Sequence, residues 1–100
     1  MSGKLPVNIK KCFSIDETIT SDQGILSFPF RLTRLLDIVR NDGPDNAIIT
    51  LDNGDPITLD PGDYIGPWDG FVCSIITISC PRDSVNPEEI KTCRVRALGV

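Results

Sequence analysis

The chain contains no histidine, a single tryptophan, a single tyrosine and a single methionine, and it has no lysine or arginine between Asn41 and Gly70. The missing histidine removes the commonest general base and the commonest metal ligand. Nucleophile systems of the Ser-His-Asp or Cys-His kind are thereby excluded, as are the His-rich metal sites of cupin-like barrels. No apolar run approaches the roughly 18 residues that a membrane-spanning helix needs. The opening residues, MSGKLPVNIKKCF, lack the basic-then-apolar order of a secretion signal, so synthesis in the cytoplasm is expected. No glycine-rich loop leads into a helix bearing Lys and Ser or Thr, which argues against a phosphate site. Basic and aromatic residues do not interleave, and only Lys4, Lys10 and Lys11 cluster. With a net charge of −4 and a pI near 4.6, nucleic acid is not the expected ligand.

What is present is punctuation. From Asn41 to Gly70 the chain reads NDGPDN, AIITL, DNGDP, ITL, DPGD, YIGPWDG, with seven aspartates, five of the eight glycines and four of the eight prolines. Short β-branched runs separated by such clusters are the pattern of tight antiparallel hairpins. Asn53-Gly54 predicts a hairpin turn in which both residues take positive φ. Asp60-Pro61-Gly62-Asp63 predicts a type II turn, with Pro61 setting φ and Gly62 in the positive-φ position.

The rest of the chain fits the same class. Val7, Ile9, Phe13 and Ile15 alternate with polar residues and read as a strand, and Asp16 to Gly24 reads as a polar connection with a short strand at Thr18–Thr20. Leu26, Phe28 and Phe30 alternate again, and Pro29 assigns that segment to an edge, since it cannot donate to a ladder. Arg34 to Arg40 suits a strand better than a helical turn because of Ile38, Val39 and the Asn-Asp-Gly-Pro that follows. Phe71 to Cys80 is the longest apolar run and the expected central strand. Val72, Ile76, Ile78 and Cys80 fall on one side, and Phe71, Cys73 and Ile75, followed by Thr77 and Ser79, on the other. Such two-sided apolarity calls for burial by the opposite sheet and by a neighbour. Residues 82–90 read as a polar loop, and Thr92 to Leu98 as a last strand with Cys93, Val95 and Ala97 inward. The expectation is one domain over residues 1–100, an antiparallel β-sandwich or jelly-roll-like barrel of seven to eight short strands. A core this small is thin, and oligomerisation would supplement it.

Cys12, Cys73, Cys80 and Cys93 are separated by 60, 6 and 12 residues. Zinc sites use closely spaced pairs, so no metal is expected, and without a secretion signal the thiols read as reduced, buried small hydrophobes. No cofactor is expected either. Asp52 with Asp55, or Asp60 with Asp63, would offer a glycosidase its two carboxylates, but hairpin-tip acids lack the apolar pocket that raises a pKa. The chain is therefore not expected to be an enzyme.

The charge distribution is uneven. Residues 1–40 carry six bases and four acids, residues 41–70 seven acids, and residues 71–100 four bases and three acids. Acidic loops bearing Asp52, Asp55, Asp60 and Asp63 would complement basic surfaces at Arg31, Arg34, Arg94 and Arg96 on another subunit. Trp68 and Tyr64 are candidate aromatic contact anchors. A different class of function, a calcium-dependent or carbohydrate-binding β-sandwich, would use the same four aspartates for a cation and Trp68 with Tyr64 for sugar rings.

The run VRNDGPDNAIITLDNGDPITLDPGDYIGP resembles a module of small tailed-bacteriophage virion proteins, in which a strand ends in an Asn/Asp-Gly turn, a hairpin follows, and an L-x-P-G-x-x turn leads on. Leu59, Pro61 and Gly62 match that last element, and the resemblance covers about residues 38–80. It implies a non-enzymatic β-sandwich of the virion, a capsid cement or decoration subunit, that binds the major capsid protein and its own copies, with a trimer favoured. A neck or tail component is the alternative within that class. The segments 1–6 and 98–100 would then reach neighbouring subunits as extended arms.

Overall fold

The computed structural model describes residues 13–67 and 71–99, with side chains described for all of these except residues 13 and 31–35. The fold is all-β and antiparallel, as the turn pattern requires. The strands are β1 (Phe13–Thr20), β2 (Ile25–Asn41), β3 (Ala47–Leu51), β4 (Ile57–Leu59), β5 (Tyr64–Ile65), β6 (Phe71–Ser79) and β7 (Thr92–Gly99). They form one hydrogen-bonded path, β1-β7-β2-β6-β3-β4, with β5 added to β2.

Two expected boundaries change. The polar DETIT stretch continues β1 to Thr20 rather than connecting strands, because Asp16, Glu17 and Thr18 pair in register with Arg96, Val95 and Arg94 of β7. The two segments expected at residues 26–30 and 34–40 fuse into the single 17-residue β2. That strand is too long for one partner. Its first part pairs with β6 from Ile25↔Ser79 to Leu36↔Phe71, and its second part pairs with β7 from Leu36↔Gly99 to Asn41↔Val95. β2 therefore joins two arms, one of β1, β7, β5 and the end of β2, the other of the start of β2, β6, β3 and β4. Pro29 lies where β2 has only β6 as a partner, so its missing N–H breaks no ladder bond.

Both arms turn the same kind of side chain inward. Ile19, Val39, Cys93, Val95 and Ala97 from the first arm join Ile49, Leu51, Cys73, Ile76 and Ile78 from the second in one buried cluster, with Phe28 and Phe30 packed against it. Cys73, Cys80 and Cys93 are buried free thiols. Burial pushes all three thiols up, Cys93 to about 12, so they pack as small apolar groups. Cys12 lies outside the described residues.

The junction of the arms is built on Asn41, which is fully buried yet has every polar atom engaged. Its amide donates to Asp45 O at 2.8 Å and Leu59 O at 2.9 Å, while its Oδ1 accepts from Gly43 N at 3.0 Å and Arg94 N at 3.4 Å. One side chain thus ties the end of β2 to β7 in one arm and to β4 in the other. The next turn must pass very close to β7. A Cβ on Gly43 would lie 2.6 Å from Cys93 Cα and nearer still to Arg94 N, so only glycine fits there.

Candidate interaction surfaces

The turns settle the roles of the acidic residues first. Positive φ falls on Asp52 (54°), and Asn53 and Gly54 are not in that region, contrary to the Asn-Gly expectation. Positive φ at the first central position alone, closed by Gly54 N donating to Leu51 O at 3.0 Å, is the II′ pattern. The reason is the Asp52 carboxylate, whose Oδ1 accepts from Ser74 N at 2.8 Å and Ile75 N at 3.1 Å. Consecutive amides of a regular strand point opposite ways, so this double contact marks a kink in β6. The kink shifts the side-chain parity. Cys73, Ile76 and Ile78 all face inward and Val72 is half exposed, which corrects the strict alternation expected for this strand.

The second turn is as expected. Gly62 has φ of 89° and Asp63 N donates to Asp60 O at 2.9 Å. Asp63 Oδ2 accepts in return from Asp60 N at 3.1 Å. Asp52 and Asp55 lie before β4, Asp60 and Asp63 after it. Three residues of strand span about 10 Å, so the four carboxylates do not converge on one cation. Among the described residues no group of carboxylates and thiols is arranged to hold a metal.

A polar cleft of about 220 Å³ lies between residues 44–46 and 81–91. Its acids are committed to the fold: Asp45 accepts from Thr92 N, and Asp83 from Val85 N and Asn86 N. Lys91 spans Glu89, Asp83 and Asp45 at 3.4, 3.7 and 4.0 Å. This cleft offers structure rather than chemistry.

What the structure does bring together is a row across the outer face of the first arm. Direct cross-strand partners share a face, and the register places Asp16, Arg96, Arg40 and Tyr64 side by side on β1, β7, β2 and β5. Tyr64 is 59 % exposed at the end of this row. Arg94, one step along β7, grips Asp16 through two bonds of 2.8 and 2.7 Å. Arg96 and Arg40 each reach Asp42 at 3.1 Å. The hydrogen bonds from Arg94 hold the Asp16 carboxyl below its ordinary range. For Asp42 partial burial opposes ionisation, but the bonds from Arg96 and Arg40 outweigh it, and its pKa too is lowered. Three of the sequence-predicted residues, Tyr64, Arg94 and Arg96, thus share one surface.

The remaining candidates separate. Asp55 and Asp60 are exposed on loops of the other arm, and the backbone of Arg31 and Arg34 lies in β2 with side chains outside the description. Trp68 and the segment 1–6 lie outside the described residues. Neither the sequence of the chain nor its fold finds a match among protein families, curated proteins or solved structures.

The outer face of the second arm has the opposite character. The register sets Thr58, Ile48, Ser79 and Ile25 in one row, Thr50, Thr77 and Ser27 in the next, and Ile75 beside Pro29. No residue in these rows is charged. Ile25 is 71 % exposed and Val72 50 %. Sequence reasoning missed this face and also missed Arg40. The signal for the face was available, since residues 25–30, 47–51, 57–59 and 71–80 contain no Asp, Glu, Lys or Arg.

Proposed function

We propose that the protein is a non-enzymatic virion structural protein, a capsid cement or decoration subunit made in the host cytoplasm, that binds the major capsid protein and its own copies. The virion assignment rests on the resemblance over residues 38–80. The observation that carries the docking role is the row Asp16–Arg96–Arg40–Tyr64. It sets guanidinium groups side by side on paired strands and ends in an exposed aromatic, the combination that anchors protein contacts. Asp16 and Asp42 hold the arginines extended, so little side-chain entropy is lost on binding.

Co-sedimentation with assembled particles tests this. The double variant Arg40→Glu/Arg96→Glu, checked for folding by circular dichroism, is expected to leave the particle fraction while wild-type protein stays bound. Binding that survives the charge reversal would remove this face from the account, and absence of the wild-type protein from particles would remove the virion reading.

A further inference from the structure

We infer that the uncharged outer face of the second arm is the contact between two copies of this chain, packed sheet on sheet about a two-fold axis. The inference deepens the reading above by naming the surface through which copies meet.

The face is four strands wide, β4-β3-β6-β2, and its outward residues are Ser, Thr, Ile and Pro, together with Val72. Depletion of charge is the compositional mark of an interface core. The occupant follows from symmetry. In a two-fold contact a surface meets itself, so any charged residue near the axis would face its own like charge. In the central row, Thr50–Thr77–Ser27, none is charged, and the nearest described carboxylate, Asp52, is engaged by the amides of Ser74 and Ile75. The Thr50–Thr77–Ser27 row consists of hydroxyls, each both donor and acceptor, so the same row on a second copy can satisfy it. Ile48 and Ile75 flank that row and supply the apolar contact. A charged partner would instead have to strip water from its own ions against a face that offers no counter-charge.

The sheet edges point the same way, because both ends of the path are blunted against strand addition. β1 carries Glu17 in the row between Ile15 and Ile19, the row that faces the core. β4 is three residues long and lies between Pro56 and Asp60. An inward-pointing charge on one edge, and a short strand beside proline on the other, are devices that keep edges from pairing. Strand addition is disfavoured at these two ends, as it is by Pro29 on the stretch of β2 that has only β6 as a partner.

With three residues of β4, five of β3, nine of β6 and five of β2, at about 3.3 Å along and 4.8 Å across each strand, the face measures roughly 350 Å² per copy, or about 700 Å² in total. That is below the size of standard specific interfaces, so the contact is a weak one, read at high protein concentration. Each chain carries −4, and the repulsion between copies makes association tighten as salt screens it.

Sedimentation equilibrium of the full chain from about 5 µM to 1 mM, at low and high salt, reads this directly. A monomer–dimer equilibrium that strengthens at high salt is expected. Thr77→Lys and Thr50→Lys, each at the centre of the face, should weaken it at least tenfold without shifting the thermal melt, while Glu88→Lys, in the exposed loop between β6 and β7, should not. A monomer throughout the range, or a dimer untouched by either lysine, overturns the inference. Particles are absent from this experiment, so its outcome is independent of whether the chain attaches to a virion.

Discussion

The two outer faces of this small domain are built from the same element, an antiparallel sheet, and share the long strand β2, yet they differ in almost every side chain. On the first arm the solvent-facing row is Asp16, Arg96, Arg40 and Tyr64, and its charges are paired within the chain. On the second arm the corresponding positions are Thr50, Thr77 and Ser27, between rows containing Ile48 and Ile75. Water accepts either surface, since Ser and Thr hydroxyls hydrogen-bond it as charged groups do, but only the first face carries ions that a partner must match. The contrast teaches that burial within the chain does not account for the second face. The contact between copies inferred above would account for its composition.

The comparison can be broken most severely where the arms meet. Asn41→Leu keeps the γ-branched shape but strands Leu59 O, Asp45 O and Gly43 N without their partner. Leaving several buried backbone groups unsatisfied should cost about 3–5 kcal/mol, a large part of the stability of a domain this size. Chemical denaturation should show it, and a loss under 1 kcal/mol would mean that the junction does not hold the arms together.

The second face owes its shape to the kink at Ser74–Ile75. Asp52→Ala removes the acceptor of both amides and leaves a β-carbon at positive φ, for an expected loss of about 1–3 kcal/mol. Asp52→Asn keeps a carbonyl acceptor and tolerates the same φ, so it should recover part of that loss. Equal losses for the two variants would show that the carboxylate does not set the kink.

The core common to both arms should respond to alkali. An acid whose folded pKa is raised stabilises the protein below its unfolded value, and that stability drains away as pH climbs from the unfolded pKa toward the folded one. With Cys93 pushed up to about 12, stability should fall above roughly pH 9, by about 1 kcal/mol at pH 10. Thermal melts at pH 8 and pH 10 measure this, and in Cys93→Ala the difference should shrink.

Acid should separate the two faces. Asp16 and Asp42 have lowered folded pKa values, so their stabilisation is present above the ordinary carboxylate range and is lost as pH falls through the folded values, below about pH 4. Hydrogen exchange in that window should rise first in β1 and β7, before β3. Simultaneous loss in all strands would show that the ion pairs contribute nothing local.

Much of the fold could be read from the residues alone. The strands β3, β4, β6 and β7, the Asp60–Asp63 turn and the buried thiols follow from alternation and turn chemistry. What could not be read depended on distant partners. The fusion of two segments into β2 requires β6 and β7 on opposite sides of one strand. The change of parity in β6 requires an aspartate 22 residues away to bind Ser74. Asn41 looks like an ordinary turn residue in sequence, since only the fold places Leu59 and Arg94 around it. Of the surface residues, Arg94 and Arg96 were visible as the outward side of the last strand, and Tyr64 as an aromatic beside a turn. Arg40 joins them only through register. The uncharged face was legible as four segments without a charge, residues 25–30, 47–51, 57–59 and 71–80, but a local reading takes such segments for core on both sides.

A dilution series of amide ¹H–¹⁵N correlation spectra of the full chain tests the division between the faces most directly. As the protein is diluted from about 1 mM, the expected result is movement of the Ile48, Thr50, Thr77 and Ser79 amides while those of Tyr64, Arg40 and Arg96 hold still. Movement confined to Tyr64, Arg40 and Arg96, or no movement at all, would contradict it.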